Sequence, residues 1–161
     1  MSSPKHPADD NPSAGQEPIC DYLEGQRTLL ELKCCAPKAL SVLIHDLSQP
    51  MSRSLEQALA RSLAAGDIPG FQPTDTLMPA MMRALGLVPG DLDQDPIIHA
   101  LRTTCNACSK VGTCWLALRH QASREECRRF CPNAKAIEAR AAEPDSHGPR
   151  QEGENKTPST R

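Results

Sequence analysis

Leucine, isoleucine and methionine recur at three- and four-residue spacing through the middle of this chain, and nowhere does an apolar–polar alternation run long enough for a strand. The pattern predicts helices throughout. Ile19 to Leu32 carries Ile19, Tyr22, Leu23, Leu29, Leu30 and Leu32, a rough apolar face weakened by Gly25. Pro37 opens a second helix through Leu47, with Leu40, Leu43, Ile44 and Leu47 on one side. Ser54 to Ala65 repeats the motif with Leu55, Leu59 and Leu63 and stops at Gly66, a residue suited to the position after a helix.

The stretch GDIPGFQPTDT (66–76) holds two prolines and two glycines and reads as a linker, centred on residues 67–75. Beyond it, Asp75 or Thr76 is expected to cap a helix with Leu77, Met78, Met81, Met82 and Leu85 on one side, ended by Gly86. A methionine stripe at this period is read as core rather than as a copper site. Asp95-Pro96 should start a helix through Ile97, Ile98 and Leu101 that delivers Cys105 near its end. Thr113 is expected to cap a helix with Cys114, Trp115, Leu116 and Leu118, and Ser123-x-x-Glu126 is a capping box for a short helix with Cys127 and Phe130. A last helix spans Asn133 to Ala142.

Residues 1–17 and 144–161 are rich in proline, glycine and charge with almost nothing apolar, so they are expected to be disordered tails. The predicted organisation is an all-α protein: a helical unit over 18–66, the linker, and a cysteine-rich helical domain over 76–143. The fold class is a small helical bundle with a cysteine-ligated site at its C-terminal end.

Composition narrows the functional classes. A net charge of −2 gives no global basic field for nucleic acid or an anionic membrane. The longest apolar runs fall far short of a membrane span, and the start MSSPKHP lacks the apolar region of a signal peptide, so a cytoplasmic location is expected. In that reducing setting, closely spaced cysteines favour metal ligation over disulfides.

Five of the eight cysteines fall between Leu101 and Ala134, as Cys105-x2-Cys108-x5-Cys114-x12-Cys127-x3-Cys131, with Pro132 next. Two intervening residues let Cys105 and Cys108 turn toward one centre. Cys114 adds a third thiol from the first turn of a helix, whose positive end favours the thiolate. Cys131 is the expected fourth ligand, because a following proline stiffens the exit from the site as in bacterial ferredoxin runs; Cys127 is the alternative fourth ligand. Three close cysteines and a distant Cys-Pro follow iron–sulfur logic more closely than the paired knuckles of zinc sites, so an iron–sulfur cluster is expected, with zinc as the alternative.

The segments MMRALGL, LRTTCNACSKVGTCWLALRH and RRFCPNAKAI, over about residues 76–142, resemble the bacterial domain of unknown function 6455. That family is marked by Cys-x-x-Cys, then Cys-Trp-Leu or Cys-x-x-Trp-Leu, then Phe-Cys-Pro-Asn-Ala. The resemblance implies that Cys105, Cys108, Cys114 and Cys131 form the shared site, with Trp115, Leu116, Asn133 and Ala134 as its setting. Cys20, Cys34, Cys35, Cys127 and residues 1–75 lie outside it. The Cys-x2-Cys-x5-Cys spacing is also similar to that of WhiB-like iron–sulfur regulators. The chain lacks their Gly-Val-Trp-Gly-Gly turn and basic tail, which favours a cluster without favouring DNA.

The remaining candidates are weaker. Cys34-Cys35 reads as thiols at a helix end, with a redox or second-site role as the other reading. His45, His99 and His120 read as surface or supporting histidines. The local excess of positive charge from Arg119 to Arg140 is a solvated face, or a surface for an acidic partner. No phosphate loop, Ser/His/Asp set or catalytic carboxylate pair is present. The expected function is a non-enzymatic redox or metal sensor or electron carrier, coupled to a protein partner through the N-terminal helices. The alternatives are a zinc-stabilised interaction module and a Cys105-x-x-Cys108 thiol oxidoreductase.

Overall fold

The computed structural model describes residues 17–143, so the two expected disordered tails lie outside the described residues, except for Glu17. Among the described residues the fold is all-helical, with eight α-helices and no strand. The chain divides into two compact units, one ending at Pro69 and the other beginning at Gly70, inside the expected linker.

Unit 1 holds α1 (Ile19–Cys35), α2 (Pro37–His45) and α3 (Arg53–Ala64). Pro37 at N1 starts α2 with its fixed φ, while the Ser52 hydroxyl accepts the Leu55 N–H at 3.3 Å and caps α3. Leu40, Ile44, Leu55, Leu59 and Leu63 fill the core as their spacing predicts. The face of α1 is a correction. Only Gly25 and Leu29 of that helix are buried, whereas Ile19, Leu23 and Leu30 are 73%, 59% and 64% exposed. Gly25 does not weaken the packing face; it makes it. A Cβ there would collide with the Ser54 carbonyl, so the absence of a side chain is what lets α1 lie close on α3. Arg61 of α3 ties down the start of α1 by pairing with Glu17 and stacking 4.5 Å from the Tyr22 ring centre.

Unit 2 is organised around α4 (Pro73–Ala84), which contacts α5 (Ile97–Asn106), α6 (Val111–Arg119), α7 (Arg124–Phe130) and the short 3-10 turn Pro89–Leu92. α8 (Ala134–Ala141) packs on α7. The methionine stripe is core, as expected: Met78, Met81 and Met82 are buried with Leu85, Leu101 and Ile137. α4 begins two residues earlier than Asp75, because Pro73 can occupy the first helical position, where a missing N–H costs nothing. α6 likewise begins at Val111, so Thr113 sits inside the helix rather than capping it. The Ser123–Glu126 capping box is formed, with both reciprocal bonds present. Asp95 Oδ1 accepts the Ile97 N–H at 2.9 Å, and Arg140 of α8 reaches back to the same carboxylate, closing α8 against the start of α5.

Candidate metal centre

Four chain turns bring four thiols to one cavity in unit 2. Cys105 is the penultimate residue of α5, and the Cys108 N–H donates to the Cys105 carbonyl at 3.2 Å, so the two intervening residues form a tight turn that returns Cys108 toward Cys105. Cys114 lies in the first turns of α6, its N–H donating to the Lys110 carbonyl at 2.8 Å. Cys131 ends α7, and its carbonyl accepts the Ala134 N–H at 3.1 Å across Pro132 and Asn133, which turns the chain into α8. All four cysteines line one cavity of about 30 Å³. The remaining wall is nearly all apolar, from Leu77, Met78 and Met81 of α4, Val111, Phe130 and Ile137.

Two of the sulfurs already receive backbone donors. The Lys110 N–H donates to Cys108 Sγ at 3.3 Å, and the N–H groups of Asn133 and Ala134 donate to Cys131 Sγ. Such donors stabilise negative charge on sulfur, as around metal-bound thiolates. The buried Asn133 side chain adds a clamp: its Nδ2 donates at 2.9 Å to the Leu101 carbonyl on α5. That bond holds the turn after Cys131 against the helix that carries Cys105.

Burial and mutual repulsion keep Cys105, Cys114 and Cys131 protonated in the absence of a cation. Burial, then the neighbouring Cys131 and Cys108, push the Cys105 thiol up to about 12. Burial and the other sulfurs push Cys114 higher still, which overrides the helix-end effect expected to ionise it. Burial also raises Cys131, while its two backbone donors oppose the rise.

Cys127 behaves differently from the other four. It is fully buried in the core of unit 2, does not line the cavity, and its thiol points to the Ala122 carbonyl at 3.9 Å. Cys20, Cys34 and Cys35 are exposed on α1 of unit 1. The neighbouring Cys34 thiol, slight desolvation and the Glu31 carboxylate raise the pKa of the exposed Cys35 thiol. His45, His99 and His120 are all exposed and none lines the cavity.

Trp115 is fully buried beside Cys114 in sequence, and the Arg119 guanidinium sits 4.8 Å from its ring centre. The basic run from Arg119 to Arg140 is largely compensated: Arg128 forks onto Glu138, Arg129 pairs with Glu125 and Arg140 with Asp95. The face is therefore a network of ion pairs. Among the described residues no helix is long and apolar enough to cross a membrane.

The donor set fits a thiophilic metal, since the cavity presents four thiols and no carboxylate or imidazole. Among the described residues, however, no three Cys, His, Asp or Glu side chains form a ready-made metal-binding group, so a bound ion would have to draw the thiols inward and release their protons. The sulfur-directed amides of Lys110, Asn133 and Ala134 were not legible in advance as donors, because they depend on the backbone of two turns. Compared with protein-family models, curated proteins and solved structures, the chain finds no match, and its resemblance to the domain of unknown function 6455 rests on the motif residues alone.

Proposed function

We infer that unit 2 is a cysteine-ligated metal module, in which Cys105, Cys108, Cys114 and Cys131 hold an iron–sulfur cluster and the chain works as a non-enzymatic redox or metal sensor or electron carrier. The observation that carries this reading is the meeting of four thiols on one apolar cavity, two of them already supported by backbone N–H donors. Apolar walls exclude water and lower the local dielectric, which together with N–H donors to sulfur are the means by which a protein tunes the potential of a cluster. When bound, the cluster supplies one-electron chemistry. The residues of this chain supply ligands, a dry wall and fixed turns, and unit 1 offers the surface for a protein partner.

A zinc-stabilised interaction module is the second reading, favoured by the cavity volume. About 30 Å³ is room for a single ion on which the thiols close inward, whereas a multi-iron core requires the side chains to move outward. The thiol-oxidoreductase reading has less support, because an attacking cysteine needs a lowered pKa and Cys105 has the opposite. Iron, acid-labile sulfide and zinc content of anaerobically purified full-length protein, with its visible spectrum, separates these readings. Iron and sulfide with broad visible absorption supports the cluster. Stoichiometric zinc in a colourless protein supports the module, and a metal-free folded protein overturns both.

A further inference from the structure

The exposed face of α1 carries a pattern that the metal site does not use. Cys20, Leu23, Arg27, Leu30 and Cys34 follow one another at alternating spacings of three and four residues, the seam of a heptad repeat. All five face away from the Gly25 and Leu29 side that packs on α3. Both cysteines are exposed, both leucines are more than half exposed, and the Arg27 side chain is 82% exposed. In order, the seam reads the same in both directions from Arg27, as cysteine, leucine, arginine, leucine, cysteine, with the cysteines seven residues to either side and the leucines four before and three after. Glu24 and Glu31 lie on either side of that arginine, and Glu31 already accepts its Nε–H at 3.2 Å.

We propose that this seam is a self-association surface for a second copy of the chain, running antiparallel about a two-fold axis at Arg27, with Cys20 of each copy placed against Cys34 of the other. An isologous contact requires a patch that is its own complement, and a palindromic seam meets that requirement. Each Leu23 lies one residue's rise, about 1.5 Å along the axis, from the level of Leu30 of the other copy, within reach of its side chain. The two Arg27 side chains meet at the axis, and Glu24 and Glu31 of both copies flank them, so the paired positive charges are offset by four carboxylates. A heteromeric partner would have no need for a thiol at both ends of the seam.

The two ends are one heptad on either side of the axis, so Cys20 and Cys34 of the same copy are about 21 Å apart along the helix and cannot join each other. One helix seam with two central leucines buries less than the roughly 1,200 Å² of a stable interface, so the reduced dimer is weak and reversible. Oxidation locks it. A small-molecule disulfide of the glutathione type is attacked by one thiolate to give a mixed disulfide, which the facing thiolate then resolves. Each interchain bond releases two thiol protons, and its two electrons reduce one small disulfide to two small thiols.

The test uses the full-length chain treated with oxidised glutathione, read by non-reducing electrophoresis, intact mass and peptide mapping. The wild type should give a covalent dimer whose cross-linked peptides join Cys20 to Cys34. Cys20→Ser and Cys34→Ser should each lose that dimer at least tenfold, while an equimolar mixture of the two should restore it to about half the wild-type yield, through heterodimers with one bond. Leu23→Glu with Leu30→Glu, both exposed and checked for unchanged helicity, should also reduce it tenfold. A wild type that gives no dimer, a Cys20→Ser chain that still cross-links through Cys34 to Cys34, or a dimer joined through Cys35 or the unit 2 cysteines overturns the proposal.

Discussion

Unit 1 and unit 2 each contain cysteines on helices, yet they treat sulfur in opposite ways. In unit 1 the three thiols sit on the solvent face of α1, and the core closes through leucines and the bare backbone of Gly25. In unit 2 the thiols are drawn inward: four line a cavity and the fifth, Cys127, is packed like a small hydrophobe. The difference shows that cysteine content alone does not define a site. What separates Cys105, Cys108, Cys114 and Cys131 from the rest is convergence on one apolar space, in which Cys108 and Cys131 also accept backbone N–H donors.

The largest expected effect separates the two sets. Serine at Cys105, Cys108, Cys114 or Cys131 should abolish stoichiometric metal and lower the melting temperature of unit 2 to that of the chelated wild type, because thiolate ligation and folding are coupled, whereas serine at Cys20, Cys34 or Cys35 should change neither. Metal analysis with far-ultraviolet circular dichroism reads both. A Cys131→Ser chain that keeps full metal, or a Cys127→Ser chain that loses it, would transfer the fourth ligand to Cys127.

Protonation gives a second contrast. Since Cys105 rises from 9.0 to about 12 in the folded, metal-free protein, its neutral thiol contributes stability below pH 9 that is lost as the pH climbs toward 12. Metal affinity should move the other way and strengthen with rising pH, because binding displaces those protons. Chemical denaturation with and without chelator, from pH 7 to pH 10, should show the two curves diverging. Parallel curves would place the thiols outside the coupled site.

Packing effects come next in size. Leu85→Ala, at a fully buried position of the unit 2 core, should cost about 2–5 kcal/mol. Gly25→Ala should destabilise unit 1 by about 1–3 kcal/mol through the clash with Ser54, while leaving metal content intact. An unchanged melt for Gly25→Ala would contradict the close approach of α1 and α3.

How much of this could be read from sequence follows from physical range. The helices of the core were legible, because Leu55, Leu59 and Leu63, or Met78, Met81 and Met82, carry their own periodicity. The capping box at Ser123 was legible for the same local reason. The four ligand candidates were legible from spacing alone, since Cys-x2-Cys and Cys-Pro constrain the chain within a turn. Two things were not. α1 carries apolar residues around most of its circumference, so its pattern could not tell that Gly25 and Leu29 face inward while Leu23 and Leu30 face out. The donors at Lys110, Asn133 and Ala134 arise from turn dihedrals, which side-chain identity does not report.

The smallest expected effect probes one such turn. Gln121 follows α6 with φ of 53°, a left-handed conformation that costs any residue with a Cβ, and the Ala122 N–H closes onto the Ala117 carbonyl at 2.9 Å. Gln121→Gly should stabilise the protein by up to about 1 kcal/mol without altering metal content. A loss of stability would show that the Gln121 side chain contributes more than the backbone strain it imposes.

X-ray absorption at the metal edge of anaerobically purified full-length protein reads the ligand atoms themselves. Ligation by Cys105, Cys108, Cys114 and Cys131 requires a first shell made of sulfur alone, near 2.3 Å, whether the metal is zinc or the iron of a cluster, and a further iron–iron shell if it is a cluster. A first shell containing nitrogen or oxygen, or an all-sulfur shell that survives serine at all four positions, would contradict the account.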